Sequence, residues 1–287
     1  MTDSRIPPTS SQDTASEVSP ERSNPEVPDG LRLQVALARA GVASRRAAAE
    51  AIKAGRVAVN GTVIREPGHR VQADRDQIRF DGEPVGVEPL RYYLLHKPRG
   101  VLSTVSDDRD RPVVTEYLPD DAGRCVPVGR LDFTSEGLLL LTNDGPLIEG
   151  LLHPRYEVPR EYAAEVEGQV SDGVLERIEK GVRLEDGSRA SAQTTRLNRK
   201  ATPGRTWLGL VLRQGRKHEV RRIGDAVGHP VRRLIRVRFG PLLLGDLAPG
   251  QIRELTAKEL SSPHERAGVR GKSGPPATPA SPGATSV

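Results

Sequence analysis

The 287-residue chain has a single cysteine, Cys125, and no apolar run close to the ~20 residues that a membrane-spanning helix needs. The first scarcity excludes an internal disulfide and any cysteine-rich zinc site. The second excludes a helical membrane span. The N-terminus has no secretory apolar region and too many acids for a mitochondrial-type leader. A soluble, cytoplasmic protein without membrane association is therefore expected. His153, His218 and His229 are not spaced as metal ligands, and no glycine loop of the phosphate-cradling kind occurs, so neither a metal nor a cofactor is expected.

Large apolar side chains are also scarce at both ends. Residues 1–30 hold five Pro, six Ser and six acids against two Arg, and 14 of the 27 residues in 261–287 are Pro, Gly or Ser. Neither stretch can bury enough apolar surface to offset the entropy of ordering it. Disordered tails are expected over 1–30 and 259–287. The remainder suits one small and one ordinary domain.

What is abundant is positive charge in two places. Residues 31–65 carry seven Lys or Arg and one acid, and residues 205–238 carry ten against two. The acidic N-terminal stretch masks this in a net charge of +5. Two separate basic regions favour a polyanionic partner bound through its phosphates.

Leu33, Ala36, Leu37 and Ala40 share one face of a helix expected over Leu31–Ala40, and Ser44 is placed to cap a second helix over Arg45–Ala54. Alternation in Arg56–Val59, Asn60-Gly61 and Thr62–Ile64 spells a hairpin. The run RLQVALARAGVASRRAAAEAIKAGRVAVNG resembles the S4-like RNA-binding domain in its SRR helix opening and its GRVAVNG hairpin. That resemblance places the module at 31–81 and implies that Arg45, Arg46, Lys53 and Arg56 face an RNA backbone, recognised by shape and phosphate. A linker is expected at 82–90.

From residue 91 to 258, short apolar strands at 138–141, 162–166, 207–212 and 234–239 alternate irregularly with helical patterns near 145–152, 171–180 and 217–227. An α+β domain is expected, not repeated βαβ units. Leu138–Leu141 reads as a buried strand, preceded by a polar loop with glycines at both ends, and Asp132 lies in that loop. On composition alone Asp132 would be a turn or capping residue.

The segment GRLDFTSEGLLLLTNDG resembles the catalytic motif of the bacterial small- and large-subunit ribosomal RNA pseudouridine synthases. The likeness continues through His153-Pro154, Tyr162, Gly215–Arg222, Gly228–Val231 and Arg238–Gly240. It implies a mixed, largely antiparallel sheet with flanking helices, and isomerisation of uridine to pseudouridine. Substrate and product are isomers, so no electron carrier is needed. By the same resemblance Asp132 is the nucleophile. Attack on the ribose, attack on the base and promotion of elimination all remain open. Arg221 corresponds to the arginine beside it, and Tyr162 to the tyrosine against the base. Arg160 stands where the family has lysine. A stacked uridine cannot reach the carboxylate, so base flipping is implied, with Arg130 filling the vacated stack. Arg216, Lys217 and Arg222 are expected to contact phosphate. The run RRLIRVRFG with Leu247-Ala248-Pro249-Gly250 resembles the large-subunit branch and implies 23S rRNA as the partner of a monomeric enzyme; 16S rRNA is the alternative. A glycosidase using Asp132 with Glu136 is set aside, because the second acid is unsupported and the basic surroundings favour RNA; a non-catalytic ribosome-assembly factor is the competing reading.

Overall fold

The structure, a computed structural model, describes residues 30–72, 75–86 and 88–266. Of the tails expected over 1–30 and 259–287, residues 1–29 and 267–287 lie outside the described residues. In the N-terminal module α1 (Leu33–Arg39) buries Leu33, Ala36 and Leu37 against Ala48 and Ile52 of α2 (Arg45–Lys53). Ser44 caps α2, its Oγ accepting from the Ala47 amide at 3.2 Å. The expected helix start at Leu31 moves, because Leu31 and Arg32 pair as a short strand with Val71 and Arg70. Strands β1 (Val57–Val59) and β2 (Thr62–Ile64) form the hairpin, and Asn60 and Gly61 both take positive φ, 50° and 82°, as its tight turn requires.

The hairpin is only half of the sheet. Strands β3 (Ile78–Phe80) and β4 (Glu83–Val85) complete an antiparallel order β2-β1-β3-β4. The expected linker at 82–90 therefore gives up 83–85 to this sheet. The rest of the connection is tied down: Arg39 Nε donates to the Glu88 carbonyl at 3.2 Å, and the Glu88 carboxylate accepts from the Arg124 amide at 3.2 Å.

The larger domain is built on a nine-stranded mixed sheet. Its elements are β5 (Tyr92–Lys97), β6 (Glu136–Thr142), α3 (Gly145–Leu152), β7 (Arg160–Glu167), α4 (Asp172–Lys180), β8 (Gln193–Arg196), β9 (Arg205–Leu212), α5 (Glu219–Ala226), β10 (Val231–Phe239), β11 (Ile252–Glu254) and α6 (Ala257–Arg266). The order is β8-β9-β7-β10-β6-β5-β11, with Leu242–Leu243 beside β10 and Val126–Pro127 beside β6. All seven residues of β6 are buried, which accounts for four leucines in succession. Leu138 and Leu140 pack with Leu94, Ile235 and Phe239, while Leu139 and Leu141 pack on the other face with Tyr93, Leu95 and Leu131. The end expected at 258 is also exceeded. Leu260 of α6 packs against the first of these clusters, and Glu259 pairs with Arg253 at 2.7 Å, which gives the helix the anchor its composition conceals.

Along this path β10 and β6 run parallel and the other pairs antiparallel. The parallel seam joins two antiparallel halves through Ile235 opposite Glu136 and Arg236 opposite Gly137. Gly137 has φ 109°, and a Cβ there would lie 2.3 Å from the Arg236 carbonyl oxygen. Only glycine fits. The loop carrying Asp132 enters β6 at this seam.

Candidate active site

Alternate residues of the Asp132 loop are tied down through their backbones. Leu131 donates its amide to Ser103 Oγ at 3.0 Å, and its carbonyl accepts from the same hydroxyl at 2.9 Å. The Phe133 carbonyl accepts from the Gly100 amide at 2.8 Å. The Ser135 carbonyl accepts from Lys97 Nζ at 2.8 Å, and its amide donates back to the Asp132 carbonyl at 3.0 Å. The buried side chain of Leu131 adds an apolar anchor. Residues 131, 133 and 135 thus hold the loop, and Asp132 is presented from between them with its side chain 36% exposed.

Asp132 lines a cleft of about 970 Å³ together with Arg130, His153, Arg160, Tyr162, Arg216, Lys217, His218 and Arg236. That volume holds a nucleoside with room to spare. His218 Nε2 lies 3.4 Å from Asp132 Oδ1. The histidine sits at the N-terminus of α5 in left-handed conformation, φ 53°, which costs about 1–2 kcal/mol for a non-glycine residue and marks a constrained position. Arg221 donates through Nη2 to Thr134 Oγ1 at 3.0 Å and through Nη1 to the Val231 carbonyl at 3.1 Å. It therefore braces the loop beside the acid and is not paired with it directly. Burial lowers the Arg221 pKa and the charge of Asp132 opposes that shift. Lys97, fully buried at the end of β5, is pushed by burial down to about 8, with Asp132 and then Glu136 opposing. Glu136 itself is committed to Arg233, bidentate at 2.8 and 2.9 Å.

The cleft also draws on the other half of the sheet. Tyr162 on β7 lies opposite Arg236 on β10. The Arg236 guanidinium is 2% exposed, donates through Nε to the Leu138 carbonyl at 2.8 Å, and stands 4.9 Å from the centroid of the Phe239 ring. Burial lowers its pKa, opposed first by Tyr162. The cleft thus gathers an acid, a phenol and several cations. A second cleft of about 750 Å³ adjoins it across Arg213 and Gln214, where Glu179 is engaged by Thr194 and Lys180 by Glu176.

Residues 91–224 match the family described as RNA pseudouridylate synthase, and residues 31–78 match the S4 domain. The chain is 44% identical over 229 residues to a Bacillus subtilis protein named ribosomal large subunit pseudouridine synthase B, covering 80% of this chain and 93% of that one. It is 43% identical to an Aquifex aeolicus RNA pseudouridine synthase over 84% of this chain and 96% of the relative. A solved pseudouridylate synthase at 26% identity superposes with a TM-score of 0.57, covering 81% of this chain and 99% of that one. The chain belongs to the RNA pseudouridylate synthase family. This pseudouridine synthase accordingly has the α+β architecture and the S4 domain that its sequence implied.

The expected site residues divide. Asp132, Tyr162, Arg130, Arg216 and Lys217 share the cleft, and Arg221 stands beside it. Arg222 lies outside the cleft lining and pairs with Asp186 at 2.6 Å. In the N-terminal module Arg45 packs its guanidinium against Gly145 at the start of α3, where a side chain at 145 would collide with it. Arg45 nonetheless remains exposed. Arg56 pairs with Asp81 and lies 4.7 Å from the centroid of the Phe80 ring, Lys53 pairs with Glu50 at 2.9 Å, and Arg46 is exposed. Sequence reasoning passed over His218, Lys97 and Arg236 as parts of this site. Lysine closing the apolar run YYLLH and arginine within LIRV were legible as charged residues in buried strands. His218, weighed only as a metal ligand, carried no signal for its contact with Asp132.

Proposed function

We propose that this pseudouridine synthase modifies uridine in 23S rRNA, with Asp132 as nucleophile acting on a nucleoside flipped out of its helix. The observation that carries this is the cleft itself: Asp132 and Tyr162 line one space of nucleoside size together with Arg130, Arg160, Arg216 and Lys217. The reaction breaks the bond between uracil N1 and ribose C1′, turns the base and joins C5 to C1′. The proton leaves C5 and N1 regains one, so the product is an isomer. Tyr162 supplies a flat face for the uracil and a hydroxyl near the migrating proton. Arg221 fixes the loop that presents the carboxylate. Arg130 fills the space the base leaves, while Arg216, Lys217 and, on the S4 domain, Arg46, Lys53 and Arg56 meet phosphates. The large-subunit target is supported by the name of the Bacillus subtilis relative and by the RRLIRVRFG run.

The test is to incubate unmodified 23S and 16S transcripts with wild type and Asp132→Asn, and to map pseudouridine by carbodiimide-dependent primer extension. Wild type should mark 23S rRNA and the variant should not, with RNA binding kept. Equal products from both would remove Asp132 from the chemistry. A mark on 16S rRNA alone would overturn the target, and none on either would favour an assembly factor.

A further inference from the structure

We infer that the ring of Phe133 is a stacking platform for a nucleobase adjacent to the flipped uridine, an inference that rests on the cleft receiving that uridine as proposed above. Phe133 directly follows Asp132 yet does not line the cleft, and it is 44% exposed. Among the described residues the other exposed large apolar side chains are Val42, Val63, Val105 and Leu243, so Phe133 is the aromatic one.

The loop keeps the ring outside. The Phe133 backbone is fixed by its bond from Gly100, and Leu131 and Ser135 are tied on either side of it. Its Cζ lies 4.0 Å from where a Cβ on Gly100 would stand, so the ring rests over a residue with no side chain. The surroundings are cationic. Arg221 is bonded to Thr134, the next residue, and Arg99 lies close enough to Arg221 to help lower its pKa. Arg130 stands on the cleft side of the same loop.

An apolar ring held out in a basic field suits RNA better than an apolar protein surface, because the guanidinium groups would then lose hydration without anionic partners. Extruding one base leaves its neighbours without a stacking partner, and an aromatic face replaces that contact for any base. Arg130 and Phe133, on opposite sides of Asp132 in the chain, would then serve the vacated position and its flanking base.

The test uses a stem-loop carrying the uridine mapped in 23S rRNA, with steady-state kinetics for wild type, Phe133→Ala, Phe133→Leu and Phe133→Trp. Loss of one base–aromatic stack should raise KM about tenfold in the alanine variant with little change in kcat. Tryptophan should keep the wild-type KM, and leucine, apolar but without a π face, should not. Replacing the stacked flanking nucleotide by an abasic one should raise the wild-type KM to the same degree and leave Phe133→Ala unaffected. A wild-type KM for Phe133→Ala, rescue by leucine equal to that by tryptophan, or additive effects with abasic sites on both flanks would each overturn the inference. Those results would leave the enzyme's proposed target intact. Failure of the wild type to modify the RNA would instead remove the reading beneath it.

Discussion

Replacing Gly137 by alanine puts one methyl group into the parallel seam between the two half-sheets. The added Cβ would meet Arg236 at its carbonyl oxygen (2.3 Å), amide nitrogen (2.6 Å) and carbonyl carbon (2.9 Å). All three are backbone atoms of a paired strand, so no side chain can swing aside. Two costs combine: about 1–2 kcal/mol for placing an L-residue at positive φ, and about 1–3 kcal/mol for overpacking. The sum of roughly 2–5 kcal/mol is a large part of the 5–15 kcal/mol that holds a typical domain together. Gly204 separates the two costs, since it has φ 77° and nothing within 4 Å of its would-be Cβ. Gly204→Ala should lose only the conformational part. Urea denaturation followed by Trp207 fluorescence gives both midpoints. The same shift for the two variants would refute the steric argument. Activity carries a second signature, because the loop carrying Asp132 enters β6 at this seam: Gly137→Ala should lose kcat even where it is fully folded.

Two further outcomes follow from neighbouring groups. Arg221→Ala frees the Asp132 loop and should lower kcat by about a hundredfold or more, on the scale of a misplaced reacting group, whereas Arg222→Ala should leave kcat near wild type because that side chain is held by Asp186; comparable losses would contradict the assignment. Lys97 gives a pH signature. Its folded pKa is depressed from 10.5 to about 8, so below pH 8 it is charged in both states and its burial costs stability in full. Between about 8 and 10.5 the folded protein releases a proton that the unfolded chain keeps, and stability rises with pH. The denaturation midpoint of wild type should climb across that window relative to Lys97→Met, and a constant difference would refute the depressed value.

Much of this fold was legible where local chemistry decides it. Ser44, the Asn60-Gly61 turn and the four leucines of β6 each announced the element they form. The edges were less legible. Strand β4 has proline at its centre, exposed Glu83 on one side and half-buried Val85 on the other, so its pairing with β3 is what identifies it. Helix α6 is held by Leu260 and by Glu259 on Arg253, contacts that composition does not report. At the site, Asp132 was set by a motif, and the cleft gathers Tyr162, Arg216 and Lys217 around it. The pairing of Arg222 with Asp186 and the approach of Arg45 to Gly145 could not be read from sequence, because adjacent arginines on one helix differ by a rotation that only packing fixes. His218 was missed for a related reason: its reach to Asp132 depends on a left-handed backbone at the start of α5.

The knotting-down of residues 131, 133 and 135 decides which party must yield when enzyme and RNA meet. A carboxylate carried on a slack segment could travel toward a base still in its helix. One fastened at every second residue stays where it is, so on the proposed reading the nucleic acid would make the journey and bear its energetic burden. Uridines in bulges, strained loops or mispaired steps, already half released from their neighbours, would then be the natural clients of so stiff a catalyst.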